Sequence, residues 1–264
     1  MDRNLLIVST ICFLAAVART AIALRGGIFR PGQFNFLAIG LGFIFQTAFL
    51  SIRGHELGRC PLTNLFEVFI FLGWSVALIY LLVGPAYRLS LMGAFTAPLV
   101  VLLQGFALIA PIDVRHPAKL PANPWLEFHA SISLMAYGTF ALACIAGVMY
   151  LVQERQLKTH QLHSILYHLP PLTDLFAAIT RLLWWGFLLY TVGLVSGFFV
   201  GHPLPYVQVI CALGVWVLYG AILQGRHLRR LAPKHVAVLC IVGFSAALTL
   251  LWGITFTAQM ASPP

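Results

Sequence analysis

Residues 124–154 read PWLEFHASISLMAYGTFALACIAGVMYLVQE, a long apolar run whose charged residues, Glu127 and Glu154, stand near its edges. About 20 apolar residues in a helix cover the ~30 Å hydrocarbon layer of a bilayer, so this stretch predicts a membrane-spanning helix. Pro124 falls at its start, where a missing backbone N–H costs little. Within the run His129, Ser133 and Tyr137 recur every four residues and therefore share one helix face. A titratable, ligand-capable side chain close to the membrane boundary is a candidate functional group. An imidazole at a helix end also serves as an anchor in the headgroup layer, and the spacing leaves both readings open.

The whole chain has the character of that stretch. Of 264 residues, 60% are hydrophobic and 9% are charged, against about 25% charged in a soluble domain. The expected fold class is therefore an all-α integral membrane protein, because the apolar runs are much longer than the ~10-residue strands of an outer-membrane barrel. The net charge of +9 comes from basic residues in short connections between apolar runs. There they set topology and meet anionic lipid, which points away from nucleic acid and towards membrane lipid as the partner. Cys12, Cys60, Cys144, Cys211 and Cys240 stand far apart, with no CxxC or CxxCH. Four of them lie in apolar runs, where cysteine serves as a small core residue. The first apolar run has no small-residue cleavage pattern and reads as a retained helix.

Eight spans are expected, in one bundle and one domain over residues 1–264: about Leu5–Leu24, Phe34–Ile52, Asn64–Val83, Leu91–Ile109, the opening stretch from Pro124, Leu182–Val200, Tyr206–Leu223 and Val236–Phe256. With the N-terminus outside, inner connections carry Arg25, Arg30, Arg88, Arg155, Lys158, Arg226, Arg229, Arg230 and Lys234. The outer segments carry Arg3, Arg53, Arg59, Arg115 and Lys119. The positive-inside rule then places both termini on the outer side.

That topology puts His55, His116, His129 and His202 at the outer side and His160, His163, His168, His227 and His235 at the inner side. Histidines on separate helices facing one cavity are the usual way to hold haem iron. His202 sits in the short turn GHPLP and reads equally as a plain turn residue. His227 lies in RHLRR, where Arg226 and Arg229 either form a positive-inside cluster or pair with a propionate-like anion. The group His160, His163 and His168 reads as a solvated connection, since nothing is spaced for zinc. Glu67, just inside the third span, should face protein or a cavity, as a hydrogen-bond partner or part of a proton path. There is no Gly-rich phosphate loop, nucleophile elbow or paired catalytic carboxylates, so no enzyme activity is expected.

Four segments carry a family resemblance: GHELGRCPLTNLFEVFIF, WLEFHASISLMAYGTFALACIAGVMYLVQE, the PPL at residues 170–172, and VWVLYGAILQGRHLRR with Gly243-Phe244. Together, over about residues 54–256, the chain resembles the cytochrome c assembly family (the CcsA, CcmC and CcmF type). In order and spacing it is most similar to a short, eight-span, HemX-like or YpjD-like branch. The resemblance implies haem handling in cytochrome c-type biogenesis, with non-covalent haem b and no covalent catalysis. It also implies partners among cytochrome c maturation or haem-biosynthesis proteins.

Carried over by position, His129 matches an outer-side histidine of the family, and His227 matches a histidine at the inner end of the penultimate helix. Both are thereby candidate axial ligands of haem iron. The sequence departs from the haem-handling members at two places. The tryptophan-rich loop expected between spans six and seven is replaced by GHPLPY, and the tail after the last span holds no histidine. His202 is the candidate to replace the second outer ligand. The HemX-like resemblance also keeps open a regulatory or scaffold membrane protein acting on haem biosynthesis. A small-molecule transporter on the same fold is the third alternative.

Overall fold

The computed structural model describes residues 2–25, 33–83, 92–110, 112–113, 123–159, 171–201, 206–228 and 230–261. These residues form α1 (Asp2–Arg25), α2 (Gln33–Leu57), α3 (Leu65–Val83), α4 (Met92–Ile109), α5 (Pro124–Thr159), α6 (Leu172–Gly197), α7 (Tyr206–His227) and α8 (Pro233–Ala261). All eight are long and apolar enough to cross a membrane, and no strand occurs among the described residues. The expected eight spans are present.

Their ends follow from local chemistry. α2 closes with Gly58 at φ +67°, where Arg59 N–H reaches the Gly54 carbonyl and Gly58 N–H that of His55, the paired bonds of a glycine-terminated helix. α3 opens on Asn64, whose Oδ1 accepts the Glu67 N–H at 2.9 Å, and Glu67 in turn takes the Thr63 N–H at 2.7 Å, a reciprocal cap. Asn123 Oδ1 likewise accepts the N–H groups of Trp125 and Leu126 and starts α5 with Pro124 in its first turn.

Several boundaries differ from the sequence expectation, α7 and α8 running on to His227 and Ala261 among them. α2 runs on to Leu57 instead of ending near Ile52, and α5 continues to Thr159. α6 begins at Leu172, not at Leu182. Its first turns, LTDLFAAITR, are too mixed to register as lipid-spanning. The Pro171 carbonyl nevertheless accepts the N–H groups of Asp174 and Leu175, and an acid in the first turn suits the helix dipole.

α5 is the axis of the bundle, packed along α6, α8, α3 and α4. Its small residues allow the close approach. A Cβ added at Gly138 would meet Ser75 Cβ at 2.7 Å, and one at Gly147 would meet the Ala237 carbonyl at 3.0 Å. In lipid, where burying apolar surface between helices gains little, such close backbone packing drives association. α1 packs on α2 and α4, with Ser9, Gln104 and Gly42 joined by buried hydrogen bonds. α7 is the least embedded helix, and its buried residues, Val215, Tyr219, Ile222 and Leu223, begin only at Val215. The turns before it border a space beside α5 and α6.

Candidate functional site

That space is a cavity of about 340 Å³, within the range of small-ligand sites. His129, Ser133 and Tyr137 line it from α5, Tyr190 and Leu194 from α6, and Gln208, Cys211 and Val215 from α7. The stripe read from the four-residue spacing is thus one wall of the cavity. Leu62, from the connection between α2 and α3, and Leu250 and Leu251 from α8 complete it. The wall is largely apolar, with one imidazole, one serine hydroxyl, two phenols, an amide and a thiol as its polar side chains.

His129 is half-buried and its ring is held. Nδ1 lies 2.7 Å from the Gly193 carbonyl. A carbonyl only accepts, so Nδ1 carries the proton, and in the neutral imidazole Nε2 keeps its lone pair. The orientation of a metal-ligating histidine is set in the same way, by a hydrogen bond from its other nitrogen. Ring packing supports the lower wall: Tyr137 and Tyr190 meet edge to face at 5.8 Å. Next along the bundle, Phe140 and Tyr219 stack at 3.7 Å with planes 3° apart. Phe140 and Tyr219 are both fully buried.

The connection over the cavity is fastened by carboxylates that sequence reasoning did not single out for this task. Glu127 Oε2 accepts the Cys60 N–H at 3.2 Å, and Cys60 Sγ lies 3.5 Å from Ser131 Oγ. Burial pushes the Cys60 thiol pKa up; the Ser131 contact opposes this and the nearby Glu127 and Glu67 carboxylates add to it. Glu67, read as a hydrogen-bond partner or part of a proton path, accepts from the Thr63 N–H and Oγ1–H and pairs with Arg53 at 3.0 Å. Arg53 also pairs with Asp113 at 2.6 Å, and Arg3 with Asp113 at 3.0 Å. Burial disfavours the Asp113 charge, but the hydrogen bonds and charges of Arg3 and Arg53 outweigh it and hold the carboxyl below its usual range. Glu67 is a structural partner in this network. The signal for these residues was available only as polar side chains at helix ends.

The other candidates are elsewhere. His227 is exposed in the last turn of α7. Gln208, level with the cavity, and His227 are 19 residues apart in one helix (227 − 208), which at 1.5 Å per residue is roughly 30 Å. One ligand therefore does not touch both histidines. Arg226 is half-buried, with its guanidinium 4.6 Å over the Phe176 ring and no hydrogen-bond partner for Nε among the described residues. The expected arginine setting beside His227 is thus built partly on an aromatic face. His202 and Arg229 lie outside the described residues, as do His116, His160, His163 and His168. Among the described residues no group of three or more His, Cys, Asp and Glu could hold a metal ion by itself, and all five cysteines are free.

A cavity lined by His129 in an eight-helix bundle, with every helix long enough to span lipid, defines a multi-pass membrane protein with a cavity among its helices. The family model described as cytochrome C assembly protein matches residues 62–260, and the chain belongs to that family. It is 25% identical over 248 residues to the cytochrome c biogenesis protein CcsA of Guillardia theta, covering 83% of this chain and 81% of that protein. The CcsA of Prochlorococcus marinus (strain NATL1A) is 27% identical over 250 residues, covering 80% and 78%. The CcsA of Porphyra purpurea is 25% identical over 259 residues, covering 80% of each chain.

Proposed function

We propose that this protein binds haem b non-covalently in the α5–α7 cavity, with His129 Nε2 as an axial ligand, and serves cytochrome c-type biogenesis without catalysing a covalent step. The observation that carries the reading is the His129–Gly193 hydrogen bond, which leaves the ligating nitrogen free and orients the ring towards an otherwise apolar cavity. The lining fits haem in kind, offering an imidazole donor, apolar walls and aromatic rings. The names of the relatives support the pathway. Bound haem would supply an iron centre. The chain's own part is to orient one ligand, exclude water and seat the ring system against Tyr137 and Tyr190.

His227, with Arg226 beside it, is the second candidate position, at the opposite end of the bundle and separate from the first. The setting is a bacterial inner membrane with the His129 end facing the periplasm. Partners are other proteins of cytochrome c maturation. The test is the absorption spectrum of protein purified from haem-replete cells. A Soret band lost in His129→Ala supports the reading, and a band absent from wild type, or unchanged by His129→Ala, overturns it.

A further inference from the structure

We propose that Gly193 of α6 is the positioning residue of the cavity. Its carbonyl fixes His129 in the Nδ1–H form, its missing side chain brings that carbonyl within reach, and Ser196 sets how strongly it binds. This rests on the haem reading for its ligand but not for its geometry.

Three contacts converge on one residue. The Gly193 carbonyl accepts from His129 Nδ1 at 2.7 Å and from Ser196 Oγ at 2.6 Å. A Cβ at Gly193 would lie 2.5 Å from Ser133 Oγ, 3.2 Å from Ile132 Cγ2 and 3.4 Å from Ser133 Cα. The first distance is too short for real atoms and the last is ordinary contact. A side chain at 193 therefore requires the Ser133 hydroxyl to turn away and Ile132 to give by a few tenths of an ångström, and glycine spares α6 that crowding against α5 at the level of His129.

A side chain at 193 crowds Ser133 and Ile132 of α5, and the shift that relieves the crowding lengthens the Nδ1–H bond and loosens the ring's orientation and tautomer. Ser196 acts in the other direction. Its hydroxyl, buried at 4% exposure, draws on the same carbonyl and weakens its pull on the imidazole proton. Without it the carbonyl would hold that proton more tightly and make Nε2 a stronger donor. A stronger donor favours the ferric over the ferrous ion, so the pair tunes a reduction potential.

The test uses full-length protein in nanodiscs, labelled with 15N-histidine and assigned by the signal missing in His129→Ala. The expected result is an Nδ1–H tautomer for His129 without added haem, lost or shifted in Gly193→Ala. In haemin titrations Gly193→Ala should bind about tenfold more weakly, the size seen when a ligand's orienting partner is removed. The size swap Ser133→Gly with Gly193→Ala should restore both the tautomer and the affinity, which a fold lost for other reasons would not do. Ser196→Ala should still bind haemin but with a lower midpoint potential. The proposal is overturned by an Nε2–H tautomer in wild type, by wild-type affinity in Gly193→Ala, by failure of the swap to rescue, or by an unchanged potential in Ser196→Ala. Absence of any haemin binding by wild type, with the tautomer pattern intact, would instead remove the haem reading and leave the positioning role standing.

Discussion

Arg53 and Glu67 form an ion pair of 3.0 Å with side chains only 4% and 1% exposed, joining the last turns of α2 to the first turn of α3. Desolvating two charges is costly and is repaid only where every remaining donor and acceptor finds a partner. Here Arg53 turns its other arm to Asp113, and Glu67 takes two hydrogen bonds from Thr63. The pair thereby fixes the connection whose Leu62 lines the cavity.

Replacing Glu67 with leucine leaves the buried Arg53 guanidinium with Asp113 as its one carboxylate partner and should cost about 3–5 kcal/mol. Replacing both, Arg53→Met with Glu67→Leu, should cost less than Glu67→Leu alone, because the under-paired buried guanidinium is removed and Asp113 keeps Arg3. Thermal unfolding of the three proteins in detergent reads the difference. A double variant less stable than Glu67→Leu would contradict the account.

Asp113 gives the network an acid limit. Its carboxyl is held below the usual range by Arg3 and Arg53 against the opposing effect of burial. A depressed folded-state pKa contributes stability that is complete above the unfolded value, about 3.9, and is lost as pH falls through the folded value. Asp113→Asn should therefore be less stable than wild type at neutral pH, and the two unfolding temperatures should converge as pH drops below about 4. A gap that stays constant over that range would show that Asp113 does not titrate with folding.

Cys60 reports on the fastening directly. Burial first, then the Glu127 and Glu67 carboxylates, raise its thiol pKa against the opposing Ser131 contact, so less reactive thiolate is present near pH 8 than in a free cysteine. With Cys12, Cys144, Cys211 and Cys240 replaced by alanine, maleimide labelling of Cys60 should be slow and should speed up in Glu127→Ala, which releases the Cys60 N–H. Equal rates in the two proteins, followed by mass spectrometry, would place the connection outside the control of Glu127.

Much of the fold was legible because lipid demands long apolar helices, and length with composition suffices to count them. His129, Ser133 and Tyr137 were legible as one face because a helix repeats nearly every four residues. What faced them was not. Gly193 carries no side chain to notice, and its carbonyl matters only because α6 lies against α5. Arg53 looked like a connection charge since α2 was expected to stop at Ile52, and an arginine becomes acceptable inside a helix only once Glu67 and Asp113 are known to meet it. The start of α6 was missed because hydropathy marks the lipid-embedded part of a helix and is silent where the helix continues into the headgroup layer.

The stack of Tyr219 on Phe140 raises a last expectation. The rings lie 3.7 Å apart and nearly parallel, and Tyr219 is 1% exposed with a hydroxyl that has no hydrogen-bond partner among the described residues. A buried hydroxyl without a partner costs roughly 1–3 kcal/mol, whereas the ring supplies dispersion and packing. Tyr219→Phe keeps the ring and removes the orphaned oxygen, so it should unfold at the same temperature as wild type or higher. Tyr219→Ala opens a cavity where α7 is anchored and should cost about 3–5 kcal/mol. Because the buried residues of α7 begin only at Val215, one turn from Tyr219, loosening this anchor should also change the cavity beside His129, and haemin affinity should fall in Tyr219→Ala but not in Tyr219→Phe. A marked loss of stability in Tyr219→Phe would instead mean that the hydroxyl is satisfied in the membrane, by a water or a bound ligand held between Phe140 and the cavity.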